Sequence, residues 1–176
     1  MKPAITSDDF TLFGLPQRYA LDRAQLDLRR RELQAEVHPD RFAAEGAAAQ
    51  RVAMQWAMRI NEAWQRLKDP LKRAAYLCEL RGVPIDAHHN TAMPAEFLMQ
   101  QMAWREALEE AATLAEVERL DAQMADEERA EFERLAALLD ERNDTAAAAA
   151  QVRALMFVAR FREDVARRLD ALEHSR

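Results

Sequence analysis

The feature that most constrains this chain is the scarcity of helix-breaking residues. Its 176 residues include only three Gly and six Pro, whereas Ala, Leu, Glu, Arg and Gln are abundant. These five are strong helix formers, and the β-branched residues that strands prefer are scarce. The only long cluster of breakers lies at residues 82–94 and consists of Gly82, Pro84, the stretch His88-His89-Asn90 and Pro94. The sequence therefore predicts an all-α protein that divides near this segment.

Two long helices joined by a loop are predicted in the N-terminal half. The first begins at Asp22, whose side chain can cap it, and ends near Val37, because the proline that follows cannot continue a helix. The loop then runs from Asp40 to Gly46, and the second helix covers residues 47–68. The inward stripe of this second helix is Val52, Trp56, Ile60, Ala63 and Leu67. We expect the two helices to form an antiparallel hairpin.

Shorter helical segments flank this hairpin, and three helices follow it. The short segments are an apolar turn near residues 10–15 and a helix over 71–80. The later helices are predicted over 95–110, 114–142 and 145–173, the last with an apolar seam of Val158, Phe161, Val165 and Leu172. The predicted boundaries are an N-terminal domain at 1–81, a linker at 82–94 and a C-terminal three-helix bundle at 95–176.

Composition excludes several classes of protein. Apolar residues make up 49% and charged residues 32% of the chain, as in globular proteins. Cys78 is the only cysteine, so neither an intrachain disulfide nor a cluster of thiolate metal ligands can form. The N-terminus lacks the apolar core of a signal peptide, and no apolar run approaches the roughly 20 residues of a membrane span. We therefore expect a cytoplasmic protein.

Charge is distributed unevenly along the chain. Residues 1–80 carry a net charge of +2, and residues 81–176 carry a net charge of −8. An acidic half argues against a nucleic-acid surface, which needs clustered cations. The change of sign predicts that the two halves meet different partners.

The tripeptide His38-Pro39-Asp40 lies in the loop between the two long helices. Pro39 fixes its own φ and ends the helix, so that an imidazole and a carboxylate are exposed side by side. A chance occurrence of one given tripeptide in a chain of this length is expected on the order of 1% of the time. The tripeptide is therefore suggestive, and its sequence context decides its meaning.

That context resembles the J-domain family across residues 8–80. The segments Asn-Glu-Ala-Trp (61–64) and Lys-Arg-Ala-Ala-Tyr (72–76) follow the tripeptide at J-domain spacing. The family places the tripeptide between its two long helices and uses it to stimulate ATP hydrolysis by a DnaK-type chaperone. The resemblance implies that residues 1–81 form a J-domain.

The resemblance extends over nearly the whole chain to HscB-type J-domain co-chaperones of iron–sulfur cluster biogenesis. The segments that carry it are Asp-Phe-Thr-Leu-Phe-Gly-Leu-Pro (9–16), His-Pro-Asp-Arg-Phe-Ala (38–43), Ile-Asn-Glu-Ala-Trp-Gln (60–65) and Phe-Leu-Met (97–99). It implies a co-chaperone that stimulates the ATPase of an HscA/DnaK-type chaperone and delivers an IscU-type iron–sulfur scaffold to it for cluster transfer.

The same resemblance assigns the chaperone-binding residues. They are His38, Pro39, Asp40 and Arg41 in the loop and Arg29 and Arg31 on the preceding helix. Two positions depart from the family pattern, because Val37 and Arg30 both stand where relatives often carry an aromatic residue. The assignment of the two helical arginines therefore depends on how the basic run is placed, and a plain solvated helix face is the alternative.

A second surface is predicted on the helix that begins at Ala95. Phe97, Trp104 and Leu108 fall on one stripe that is expected to face the core, whereas Leu and Met side chains rimmed by carboxylates fall on the flank and the far side. The resemblance implies that this second set binds the scaffold: Leu98, Met99, Met102, Glu106, Glu110 and Phe157. The alternative is a helix buried on both faces.

No catalytic centre, cofactor or metal site is predicted, so we expect a protein that is not an enzyme. His88 and His89 have no evident third metal ligand, and Cys78 reads as a small buried apolar residue. A general J-domain co-chaperone for unfolded clients is the alternative function. That class typically has a Gly/Phe-rich linker or zinc-binding repeats, and neither is present in this sequence.

Overall fold

The computed structural model describes residues 4–174, and every regular element in that range is helical. The elements in chain order are α1 (Asp9–Phe13), α2 (Arg23–Glu36), a 3-10 helix (Pro39–Glu45), α3 (Ala47–Lys68), α4 (Pro70–Leu80), α5 (Ala95–Glu110), α6 (Leu114–Ala136), a π-helical turn (Ala137–Glu141) and α7 (Thr145–Glu173). The all-α prediction is confirmed. The chain divides after Leu77 into two compact units, unit 1 and unit 2. The predicted boundaries at residues 81–82 and 94–95 stay a prediction.

The ends of α2 lie where the sequence places them. The Asp22 carboxylate accepts hydrogen bonds from the amides of Ala24 (2.9 Å) and Gln25 (3.3 Å), and Val37 is the C-cap. The segment after it differs from the prediction, because residues 39–45 form a 3-10 helix instead of an irregular loop. Pro39 favours this outcome, since its fixed φ suits the first helical position and its missing N–H has no partner there in any case.

The core of unit 1 lies between α1, α2 and α3. Four of its buried residues are Leu26 and Leu33 of α2 and Ile60 and Leu67 of α3. The predicted α3 stripe is wrong at its N-terminal end, because Val52 is 53% exposed and the core position there is Ala53. Each step of four residues advances the stripe by about 40° around the axis, so the predicted positions drift off the core face.

Asp9 fastens α1 to α3. Its side chain is fully buried, and its two carboxylate oxygens lie 2.7 Å from the Arg59 guanidinium and 2.9 Å from the Arg66 guanidinium. Its backbone amide donates to the Tyr76 hydroxyl at 3.0 Å. Since a buried carboxylate is costly unless it is paired, the two arginines are what permit this placement.

Unit 2 is built on α5, α6 and α7 around an apolar core. A capping box begins α6. The Thr113 hydroxyl accepts the Glu116 amide, and the Glu116 carboxylate accepts the Thr113 amide. The predicted seam of α7 is confirmed at Val158, Phe161 and Val165, which are buried, and Leu172 is partly buried against the same core. The remaining core members are Phe97, Trp104, Ala111, Val117, Leu120, Met124 and Ala154.

The segment rich in helix breakers is fastened to α7 by a buried arginine. Arg153, only 6% exposed, donates from Nε to the Ala92 carbonyl at 2.6 Å and from a terminal nitrogen to the Ile85 carbonyl at 3.1 Å. Residues 85–92 thus pack as part of unit 2. No helix of the described chain combines the length and apolarity that crossing a membrane requires.

Candidate functional site

The His38–Asp40 loop is held by its own short-range hydrogen bonds. His38 is the N-cap of the 3-10 helix, and its Nδ1 accepts the Asp40 amide at 3.3 Å. The Asp40 carboxylate lies 3.6 Å from the same nitrogen. The two side chains remain 59% and 90% exposed. The loop therefore presents an imidazole and a carboxylate to solvent on a fixed backbone.

Arg41 connects this loop to the end of α2. Its guanidinium donates to the Ala35 carbonyl at 3.0 Å, and its backbone amide donates to the His38 carbonyl at 3.0 Å. A cation near the C-terminal carbonyls of a helix is favoured by the helix dipole. Arg41 thereby orients the loop relative to α2 while remaining exposed itself.

The structure does not bring Arg29 and Arg31 together. Residues two positions apart on a helix point about 160° apart, so these side chains occupy opposite flanks of α2. Arg29 is partly buried, where it donates to the Phe13 carbonyl at 3.1 Å and pairs with Glu32. Arg31 is exposed and makes no hydrogen bond or ion pair with the rest of the described chain. Of the two, Arg31 alone is a fully solvated cation.

A cluster of cations that sequence reasoning did not single out surrounds Trp64 of α3. The guanidinium of Arg30 lies 3.8 Å from the indole centroid, the Lys68 ammonium 4.0 Å and the Arg23 guanidinium 5.4 Å. The indole N–H donates to Asp27 at 2.7 Å, and this bond lowers the pKa of the Asp27 carboxyl below its usual value. The spacing of four residues between Trp64 and Lys68, which places both side chains on one face of α3, is the sequence feature that indicates this contact.

The predicted exposed set on α5 is solvent-accessible in the structure. Leu98 is 48% exposed, Met99 77% and Met102 69%, whereas Phe97 and Trp104 are buried. The alternative of a helix buried on both faces is therefore wrong. Glu106 and Glu110 are exposed as well, and neither carboxylate has a hydrogen bond or ion pair within residues 4–174. We call these five residues, Leu98, Met99, Met102, Glu106 and Glu110, the α5 face.

Phe157 of α7 is only partly exposed and belongs half to the core. Its ring meets Phe97 edge-on at 5.8 Å and stacks on Phe161 at 6.2 Å. The Arg105 guanidinium lies 5.5 Å from the ring centroid. Because Arg105 and Leu98 lie about 20° apart around the α5 axis, Phe157 lies on the flank of α5 that leads to the α5 face.

Two further reactive side chains are those of Cys78 and His89. Cys78 is fully buried, and burial raises the pKa of its thiol to about 11. His89 pairs with Asp86 at 2.8 Å within an exposed turn. Within residues 4–174, no group of three or more His, Cys, Asp or Glu side chains is arranged to hold a metal ion.

Comparison with known proteins places both halves of the chain in one family. The family model described as the HSCB C-terminal oligomerisation domain matches residues 93–166. A "Co-chaperone protein HscB homolog" of Burkholderia multivorans is 54% identical over 97% of this chain and 98% of its own length. Its counterpart from Burkholderia mallei is 53% identical over 97% and 99%.

Solved structures agree with these sequence relatives. Chaperone HscB from Vibrio cholerae has a TM-score of 0.79 at 36% identity, over 94% of this chain and 99% of its own. The human co-chaperone protein HscB has a TM-score of 0.85, over 96% of this chain and 85% of its own. At 24% identity, the human protein is evidence for a shared fold alone.

Proposed function

The chain belongs to the HscB family of co-chaperones, and we propose that it stimulates the ATPase of an HscA/DnaK-type chaperone and delivers an IscU-type iron–sulfur scaffold to it for cluster transfer. The observation that carries this proposal is the His38–Asp40 loop. It offers an exposed imidazole and carboxylate on a backbone fixed by Pro39 and by the His38 cap.

The geometry of the loop supports a role in binding rather than in catalysis. A general acid or base acts from a site that positions substrate and excludes water, whereas His38 and Asp40 are well solvated. An exposed pair on a rigid backbone is suited to insertion into a partner at low entropic cost, because few torsions remain to be fixed on binding. ATP hydrolysis then takes place in the chaperone, and the loop favours the conformation that hydrolyses.

The basic surface that meets the chaperone is best placed on the α3 side of α2. Arg30, Arg23 and Lys68 surround Trp64 there, and Asp27 accepts from the Trp64 indole and pairs with Arg23. Arg31 is solvated about 100° further around α2. Arg29 instead serves the packing of α1 against α2. Exposed cations of this kind chiefly raise the rate of association with an acidic partner surface.

The α5 face is proposed to bind the scaffold. Met99 and Met102 are flexible, polarizable side chains that adapt to a partner surface, and they project from the helix well exposed. Unpaired carboxylates of Glu106 and Glu110 rim them, so a complementary surface is apolar with basic residues at its edge. Phe157 contributes the aromatic flank of this surface.

Carrying both surfaces on one chain couples delivery to hydrolysis. When the scaffold is held by unit 2, engagement of the chaperone by unit 1 becomes an encounter at high effective concentration. No new contact between scaffold and chaperone is required for this gain. The protein would thus act as an adaptor whose output is the partner's ATPase cycle.

The test is the steady-state ATPase of the HscA-type chaperone with this protein and with the scaffold. The wild type should stimulate hydrolysis, and His38→Gln should abolish the stimulation without changing the circular dichroism spectrum. The double variant Met99→Ser/Met102→Ser should keep basal stimulation and lose its enhancement by scaffold. The matched control is Met54→Ser/Met58→Ser, which removes two methionines of similar exposure from α3. Absence of stimulation by the wild type would contradict the proposal.

A further inference from the structure

Unit 1 contains an open apolar groove beside the His38–Asp40 loop, with a volume of about 440 Å³. We call it the α2–α3 groove. Val37 and Phe42 line it from the segment that carries the loop, and Val52 and Trp56 line it from α3. Val52, which the sequence pattern assigned to the core, is 53% exposed at its edge. Apolar side chains in a concave site of this size are the usual composition of a binding site.

The groove is continuous with the loop along the chain. Val37 immediately precedes the tripeptide, and only Arg41 separates the tripeptide from Phe42. A partner that engages His38 and Asp40 therefore already lies against the mouth of the groove. Because of this continuity, we expect the segment that occupies the groove to belong to the proposed chaperone partner.

The charge of the rim restricts the occupant further. The charged residues that line the groove are Glu36 and Glu45, both exposed. Neither carboxylate forms a hydrogen bond or ion pair with other described residues. An apolar segment that carries a lysine or arginine would bury its side chains in the groove and pair its cation with this rim, whereas an acidic segment would be repelled.

We propose that the α2–α3 groove binds an apolar, basic-flanked segment of the partner chaperone while the His38–Asp40 loop engages the same molecule. The inference rests on the proposed function and adds a second contact to it. The loop supplies the activating group, and the groove supplies affinity through burial of apolar surface. The two contacts can be separated by mutation because they use different side chains.

The first test compares two exposed apolar residues of α3, one lining the groove and one outside it. Val52→Gln should raise the concentration of this protein that gives half-maximal ATPase stimulation by about tenfold, the equivalent of one lost apolar anchor. Met58→Gln, at 63% exposure and away from the groove, should leave that concentration unchanged. Both positions are exposed, so both variants are expected to fold.

The second test fills the groove without touching the loop. Ala49 lines the groove, and its neighbour Ala48 is exposed and does not line it. Ala49→Leu should raise the melting temperature, because the added methyl groups are buried on the groove wall, and yet weaken stimulation. Ala48→Leu should change neither quantity. A merely structural role for the groove predicts that the more stable variant stimulates at least as well.

The third test addresses the rim. The double variant Glu36→Gln/Glu45→Gln should weaken chaperone binding severalfold at low salt and flatten its salt dependence, since paired exposed charges are screened by salt. Arg31→Gln serves as the comparison, because it removes a charge of opposite sign from the solvated flank of α2. If Glu36→Gln/Glu45→Gln bound the chaperone more tightly than the wild type does, the proposal of a basic-flanked occupant would be wrong.

The outcomes separate the two proposals. If His38→Gln abolishes stimulation while Val52→Gln and Ala49→Leu behave as the wild type, the groove is not used and the proposed function stands. If Val52→Gln weakens stimulation and Ala49→Leu stabilises the fold while weakening stimulation, the groove is a second chaperone contact. If the wild type does not stimulate the chaperone at all, both proposals fall.

Discussion

At the scale of single residues, Cys78 shows how burial sets chemistry. The thiol is fully buried, and its pKa of about 11 follows chiefly from the cost of placing a thiolate in a buried position. Thiolates, not thiols, react with alkylating reagents. Cys78 should therefore be inert in the folded protein at neutral pH and react only after unfolding.

The raised pKa of Cys78 predicts a dependence of stability on alkaline pH. Because the folded value of about 11 exceeds the ordinary value of 9.0, the unfolded state loses its proton first as the pH rises. The stabilisation is fully present below pH 9 and is lost between pH 9 and 11, at most about 1.4 kcal/mol per pH unit. The check is urea unfolding of the wild type and Cys78→Ala across that range. Their difference in free energy should change with pH, and a constant difference would contradict the assignment.

Some residue roles could be predicted from the sequence and others could not. Asp22 was identifiable as an N-cap, because capping depends on one side chain and the next few amides. The pairing of Asp9 with Arg59 and Arg66 spans some fifty residues and depends on how α1 lies against α3. That Val52 lies outside the core could be predicted only by knowing which side of α3 faces α2. A spacing of four residues does not determine this, because each such step turns about 40° around the helix axis.

At the scale of elements, α5 is a helix with one buried side and one exposed side. The side containing Phe97 and Trp104 is buried in the core of unit 2, and the α5 face is exposed. Periodicity predicted this division correctly because the buried positions are aromatic and the exposed ones are flexible Met and charged Glu. What the exposed side binds is a question of chemistry that periodicity does not address, and it stays a prediction.

The carboxylates of the α5 face should act on the rate of scaffold association. The double variant Glu106→Gln/Glu110→Gln is expected to lower the association rate constant by about threefold to tenfold at low salt and to leave dissociation nearly unchanged, since exposed charges steer encounter. Stopped-flow or surface-based kinetics at two ionic strengths would measure both constants. The control is Glu118→Gln on α6, an exposed glutamate outside this face. A larger effect on dissociation than on association would contradict a steering role.

At the scale of the whole molecule, the net charge differs between the two halves of the chain, to which we assign two different partners. The N-terminal residues are slightly basic and the C-terminal residues acidic, so changes in salt affect the two proposed interfaces through different charges. The sequence located the breaker-rich segment at residues 82–94. It did not predict that residues 85–92 are fastened to α7 by Arg153, because a buried arginine contradicts the usual preference of that residue for the surface.

Arg153 should therefore decide whether this segment stays packed. Arg153→Met is expected to lower the free energy of unfolding by about 3 kcal/mol, because two carbonyls lose charged donors. It should also expose residues 85–93 to thermolysin under native conditions, which mass spectrometry of the fragments would locate. Arg160→Met, at an exposed position of α7, is the control. Unchanged protease resistance of Arg153→Met would show that other contacts hold the segment.

The way the His38–Asp40 loop is secured has an evolutionary consequence. Its hydrogen bonds reach at most six residues along the chain, from the His38 cap to the contact of Arg41 with Ala35. The hydrogen bonds that fix the loop therefore depend on the helix end before it and on the loop itself. We expect the loop to keep this geometry when the cores of the helical hairpins that carry it diverge.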